Sequence, residues 1–133
     1  MMKQRELTLD EHEVSEPIVI AVAAMPPTVN HMYISRRGGG KALSAEAETF
    51  RALVLEQVSE ARPPVPDGPL ALTVRLWFGD RRRADIDNRL KAAIDALALA
   101  LRFDDSRIHE IHTVRAGCDP GRPRCELVLT GAL

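Results

Sequence analysis

The stretch Gly79–Ile108, GDRRRADIDNRLKAAIDALALALRFDDSRI, decides how this chain is read. Its middle is helical. Leu90, Ile94, Leu97 and Leu101 recur at i, i+4, i+7 and i+11 on one apolar stripe, and the intervening alanines raise helix propensity. The spacing predicts a helix from close to Asp87 to about Leu101. Just before it, Leu70 to Phe78 alternates, with Leu70, Leu72, Val74, Leu76 and Phe78 on one side and Ala71, Thr73, Arg75 and Trp77 on the other. That is the pattern of a half-buried strand. After it, Phe103-Asp104-Asp105 leads into two strand-like segments, Ile108 to Arg115 and Arg124 to Thr130. The turn-rich Gly117-Cys118-Asp119-Pro120-Gly121 joins them, and the pair is expected to form a hairpin.

Working back toward the start, Pro17 to Ala24 (PIVIAVAA) is apolar and β-branched enough for a buried strand, which Met25-Pro26-Pro27 stops. Thr28 to Lys41 is expected to be an exposed positive loop, with three glycines flanked by Arg36, Arg37 and Lys41. Ser44 is placed to N-cap a helix running to about Ala61, with Glu46 and Glu48 in its first turn. Phe50, Leu53, Val54, Gln57 and Val58 form its core-facing stripe, and Pro63-Pro64 with Pro66-Asp67-Gly68-Pro69 end it. The order β-α-β-α-β-β predicts an α+β single domain over residues 17–133, one mixed sheet packed by two helices. Residues 1–16 have no clear period and are expected to form a mobile acidic arm.

At 133 residues the chain has room for one domain. Its 45% hydrophobic and 28% charged residues exclude a disordered chain, a collagen-like fibre and a coiled-coil rod. No apolar run reaches the ~18 residues of a membrane span, and the charged start MMKQRELTLDEHE lacks the apolar stretch of a secretory signal, so a cytoplasmic protein is expected. Cys118 and Cys125 lack CxxC spacing and are read as reduced thiols. The net charge of -1 is unevenly spread: residues 1–16 carry five acids against two bases, leaving 16 basic and 14 acidic residues beyond them. The remaining surface turns distinctly basic once some of those acids bind a metal.

Asp85 and Asp87 stand two apart where a strand hands over to a helix. In extended chain such side chains project to one side, so both carboxylates can converge on one cation, and an all-oxygen site suits Mg²⁺ or Mn²⁺ better than zinc. With a helix starting at Asp87, Lys91 and Asp95 follow at i+4 and i+8, fixing a lysine beside the carboxylates. Asp104 and Asp105 precede a strand, whose alternation lets only one of them reach the same site, and spacing leaves the choice open. Each residue also has a plainer reading: Asp87 as a helix cap, Asp95 as the ion-pair partner of Lys91, Asp104-Asp105 as a turn, and Arg81-Arg82-Arg83 as a solvated charged turn. His109 and His112 are assigned surface or packing roles, and the glycine-rich loop lacks the spacing of a phosphate-binding fingerprint.

Taken in order, Asp80-Arg81-Arg82-Arg83, Asp85-Ile86-Asp87-Asn88, Lys91-Ala92-Ala93-Ile94-Asp95-Ala96-Leu97 and Asp104-Asp105 resemble the RusA family of Holliday junction resolvases, found in bacteria and their phages. The likeness extends more loosely to Pro26-Pro27, Asn30, Tyr33, Ser44-Ala45-Glu46 and Glu126-Leu127. It implies a RusA-like fold, a homodimer, Mg²⁺ dependence with Mn²⁺ as a possible substitute, and symmetric nicking of a four-way DNA junction. It implies catalytic roles for Asp85, Asp87, Lys91 and Asp105, the three aspartates as metal ligands, and so selects Asp105 over Asp104. The chain departs from the pattern at Ala84, where a further basic residue is common, in its acidic leader and in its longer Arg36–Lys41 loop.

In the mechanism this implies, the metal activates water and polarises the scissile phosphate while Lys91 offsets growing negative charge. Arg36, Arg37, Lys41, Arg81, Arg82, Arg83 and Arg107 hold the DNA backbone, giving steep salt dependence. Two competing readings are a nuclease for other branched DNA, such as forks or flaps, and a junction-binding module without catalysis.

Overall fold

The computed structural model describes residues 16–132; the expected acidic arm lies almost entirely outside them. Eight elements of regular structure follow one another: β1 Ile18–Val22, β2 Tyr33–Ser35, β3 Lys41–Leu43, α1 Ala45–Ala61, β4 Leu70–Phe78, α2 Leu90–Leu101, β5 Ile108–Cys118 and β6 Arg124–Gly131. Four strands form one mixed sheet in the order β1-β6-β4-β5. β4 runs parallel to β5 and antiparallel to β6, and β6 runs antiparallel to β1. This is the expected α+β architecture, with the helices on one face of the sheet.

The alternation of β4 decides where the core lies. Leu70, Leu72, Val74, Leu76 and Phe78 point to the helix-covered face, where they meet Ile18, Ile20 and Val22 of β1 and Cys125, Leu127 and Leu129 of β6. From above, α1 contributes Phe50, Val54 and Val58. The deepest face of α2 consists of Ala92, Ala93, Ala96 and Leu97, with Leu90, Ile94 and Leu101 only half-buried. Its alanines therefore do more than favour helix: small side chains let α2 lie close against α1 and the sheet. The opposite sheet face carries polar pairs such as Arg75 and Glu126, 3.7 Å apart on directly facing residues, and leaves Val19 half exposed.

Two expectations are corrected here. β5 and β6 are not a hairpin, because β4 lies between them. A parallel pair needs a crossover, which α2 supplies between β4 and β5; residues 119–123 then carry the chain past the end of β4, where the Asp119 and Gly121 N–H groups donate to the carbonyls of Phe78 (2.8 Å) and Gly79 (3.3 Å). Burial explains the choice. β6 alternates between buried and half-buried and gains from a neighbour on each side, whereas polar β5, with His109, Glu110, His112 and Arg115 exposed, suits an edge.

Thr28 to Lys41, expected to be a loop, instead holds a short 3₁₀ turn and most of the β2–β3 hairpin, which ends at Leu43. Strands of three residues fall below the length at which alternation is legible. The glycine-rich stretch is the hairpin tip: the Arg36 N–H donates to Gly40 (2.9 Å), and Gly38, Gly39 and Gly40 all take positive φ, which glycine adopts without strain. Ser44 locks its base. The hydroxyl accepts the Ala47 N–H at 3.1 Å, as expected of the N-cap, and donates to the His31 carbonyl at 2.6 Å.

Candidate active site

Beyond Phe78 the chain leaves the sheet through a loop whose burial alternates. Ala84 and Ile86 pack against the core while Arg83, Asp85 and Asp87 face solvent. The outward presentation of both carboxylates thus follows from the anchoring of Ile86. It does not follow from extended chain, because Ile86 takes helical angles (φ -92°, ψ -18°) at the entry to a 3₁₀ turn, Asp87–Arg89. α2 proper starts at Leu90, three residues later than the spacing suggested.

The reading of Asp87 as a helix cap fails, since neither the 3₁₀ turn nor α2 is capped by a side chain. Among the described residues the hydrogen bonds to aspartates in this part of the fold go to Asp80, Asp95 and Asp104, leaving Asp85 and Asp87 without partners. Asp80 accepts the backbone N–H of Arg82 (2.9 Å) and its guanidinium (3.0 Å), and these bonds hold its carboxyl below the ordinary range. The charge of Arg82 is therefore matched locally, whereas Arg81 and Arg83 stand exposed with no carboxylate partner among the described residues.

The turn that carries Asp87 is fastened from beneath. Arg89 sends its Nη1 to the Pro26 carbonyl (2.7 Å) and lies 5.6 Å from the Phe78 ring centre. Burial lowers its pKa, partly offset by Glu46, and its Nε and the Asn88 Oδ1 are buried without partners among the described residues. Phe78 also stacks with Arg115, at 4.3 Å. Sequence reasoning placed Phe78 on the buried face of its strand but gave neither it nor Arg89 and Arg115 a part in the site, because cation–π packing between distant segments leaves no periodic signal.

Along α2, Lys91 donates to Asp95 at 3.1 Å, and Arg51 from α1 approaches the same oxygen at 3.9 Å. The bond and charge of Asp95 raise the pKa of the Lys91 ammonium, with smaller contributions from Tyr33 and Asp105. Of the later pair, Asp104 caps a 3₁₀ turn, accepting the Ser106 N–H at 2.9 Å, which lowers its pKa. Asp105 is left available and lines an open cleft of about 470 Å³ with Arg51, Asp95, Arg102 and Phe103.

Asp85, Asp87 and Asp105 are not gathered round one point within a single chain. Among the described residues no three acidic, histidine or cysteine side chains form a group able to hold a metal. The twelve residues of α2 span ~18 Å and separate the Asp85–Asp87 loop from Asp105. Two unpaired carboxylates nonetheless fit Mg²⁺, which keeps several waters and is bound by one or two carboxylates together with phosphate oxygens.

The basic residues divide likewise. Arg36, Arg37 and Lys41 are exposed on the β2–β3 hairpin. Arg107, expected on the DNA backbone, instead donates to the carbonyls of Pro66 and Gly68 (2.8 Å to Gly68), clamping the α1–β4 connection. It lies at the start of β4 and β5, the sheet end opposite to Asp85 and Asp87.

Residues 23–128 match the family model described as endodeoxyribonuclease RusA. The chain is 33% identical over 107 residues to crossover junction endodeoxyribonuclease RusA of Shigella sonnei (strain Ss046) and to that of Escherichia coli (strain K12), and 31% identical to that of Enterobacteria phage 82. In each case the match covers 79% of this chain and 88% of the relative. The chain belongs to the RusA family of endodeoxyribonucleases. No helix among the described residues is long and apolar enough to cross a membrane.

Proposed function

We propose that this chain is a Mg²⁺-dependent, structure-specific endodeoxyribonuclease that acts as a homodimer on four-way DNA junctions, placing paired symmetric nicks in recombination and repair. The observation that carries the reading is the state of Asp85 and Asp87 in a family of DNA-cutting enzymes: both carboxylates are exposed, without partners among the described residues, and held beside a turn anchored by Ile86 and Arg89. Mg²⁺, with Mn²⁺ as a substitute, would be held by this pair and supplies Lewis-acid polarisation of the phosphate and acidification of water. Asp105 is proposed as the third carboxylate in the assembled enzyme. Lys91 is one helical turn beyond Asp87; its ammonium turns from Asp95 toward the phosphate to offset charge as water attacks phosphorus and the P–O3′ bond breaks.

Arg81, Arg83 and the hairpin cations Arg36, Arg37 and Lys41 supply backbone contacts, so affinity falls steeply with salt. A homodimer is supported by the long uncovered edge strand β5, with Ile111 and Val114 exposed, and by the two equivalent strands of a junction. The decisive experiment incubates parent and Asp87→Asn protein with a synthetic four-way junction, a fork and a linear duplex, in Mg²⁺ or EDTA. Metal-dependent paired nicks confined to the junction and absent with the variant are expected. Cutting of the fork alone replaces the substrate, and binding without cutting refutes the nuclease reading. Light scattering on the purified protein tests the dimer.

A further inference from the structure

β4 and β5 are parallel, so their C-terminal ends lie side by side, and the Asp85–Asp87 loop springs from the first of them. At that end two guanidinium groups pack over the Phe78 ring, Arg89 at 5.6 Å and Arg115 at 4.3 Å from its centre. Arg115 also donates through Nη2 to the carbonyl of Ala84 at 2.7 Å, one residue before Asp85. Arginine carries five N–H donors, and most of those on Arg115 remain after this bond. Among the described residues no carboxylate lies within ion-pair distance of it, whereas nearby Arg82 is paired with Asp80 and Arg124 with Asp119.

A cation that only pinned the loop would satisfy the Ala84 carbonyl and nothing more. Arg115 also brings an unmatched charge on an exposed residue, its plane fixed by stacking and its position by the carbonyl. Immobilised in this way, it loses little further freedom on meeting an anion, and its planar fork matches phosphate oxygens. We propose that Arg115 is a phosphate-binding residue of the active site, holding a DNA backbone phosphodiester beside the one cut at Asp85 and Asp87. This assignment rests on the nuclease reading above and adds to it a residue from a different strand.

The test measures binding of a synthetic four-way junction at a series of salt concentrations, with Ca²⁺ replacing Mg²⁺ to suppress cutting, and cleavage separately in Mg²⁺. Arg115→Met keeps an unbranched chain over Phe78 and removes the charge; Arg115→Lys keeps the charge. Loss of one phosphate contact lowers the slope of log affinity against log salt by about 0.9, or about eightfold in affinity at 0.1 M salt. The expected result is that slope change, with slower cleavage, in Arg115→Met and a parental slope in Arg115→Lys. A parental slope in Arg115→Met overturns the assignment while leaving a cleaving parent, and hence the nuclease reading, intact. A parent that cuts no branched DNA refutes the nuclease reading itself. If Arg115→Met melts well below the parent, Arg115→Gln compared with Arg115→Lys decides the same question.

Discussion

Replacing Asp95 by asparagine tests its role as the tether of Lys91. Its carboxylate accepts from Lys91 at 3.1 Å and lies 3.9 Å from Arg51, but Lys91 is more than half exposed, so the charge term is screened. An i, i+4 pair contributes about 0.2–0.5 kcal/mol, and the longer Arg51 contact adds a similar amount, so Asp95→Asn costs about 0.5–1 kcal/mol. For a domain of this size that lowers Tm by a few degrees. The pH dependence has a definite sign. Asp95 raises the folded-state pKa of Lys91, so the pair's contribution is complete below the unfolded lysine value of about 10.4 and is lost as pH rises through the folded value. The gap in Tm between parent and variant should therefore be constant from pH 7 to 9 and narrow above about pH 10.4 to the share that Arg51, still charged there, contributes. Lys91 stays charged at pH 8 without Asp95, so junction cleavage should remain within about threefold of parent. Thermal melts across pH and single-turnover cleavage read both quantities. A hundredfold loss of cleavage with Tm unchanged would refute this reasoning and place Asp95 among the metal ligands.

Arg107→Ala should cost about 1–3 kcal/mol in denaturant melts, from lost bonds to Pro66 and Gly68, with no change in the salt slope of DNA binding. A reduced slope would return Arg107 to the DNA interface. Cys118 is exposed while burial pushes the Cys125 thiol up to about 12, so a thiol reagent at pH 8 should label one cysteine in the native protein and two in denaturant. Because folding holds Cys125 protonated, stability should fall between about pH 9 and 12, by up to about 4 kcal/mol, and Cys125→Ala should remove that slope. Leu72→Ala, at the centre of the sheet, should cost about 2–5 kcal/mol against less than about 0.5 for Val19→Ala on the open face; equal losses would contradict the assignment of the faces.

What was legible in the chain was whatever repeats. β4 announced its buried face at every second residue and α1 at every third or fourth, and Ser44 stood where a helix must begin. Pairing carries no such signal. The stretch 117–121 reads as a turn, although Gly117 and Cys118 still belong to β5 and the turn begins after them, and a turn does not reveal which strand it leads to; that was settled by burial, which draws β6 between two neighbours and leaves β5 at the edge. The β2–β3 hairpin was lost for a related reason. Its order comes from the Ser44 bond to His31 and from buried Met32, both supplied by tertiary structure.

The candidate site divides along the same line. Residue types and spacing were enough to single out Asp85, Asp87 and Lys91 as candidates, because two carboxylates two residues apart at a helix entry, with a lysine one turn on, can converge. Their surroundings were not, since these depend on partners distant in sequence: Arg89 on Pro26, and Arg115 on Ala84 and Phe78. Asp104 caps a turn, a task that spacing along the sequence did not distinguish from that of Asp105. The parallel pairing of β4 and β5 explains why such contacts collect here. It brings two C-terminal strand ends together beside the entry to α2, so an edge-strand arginine and a loop carboxylate 30 residues apart become neighbours. Antiparallel pairing of the same two strands would have set the end of β5 against Leu70 and left the Asp85–Asp87 loop without that cation.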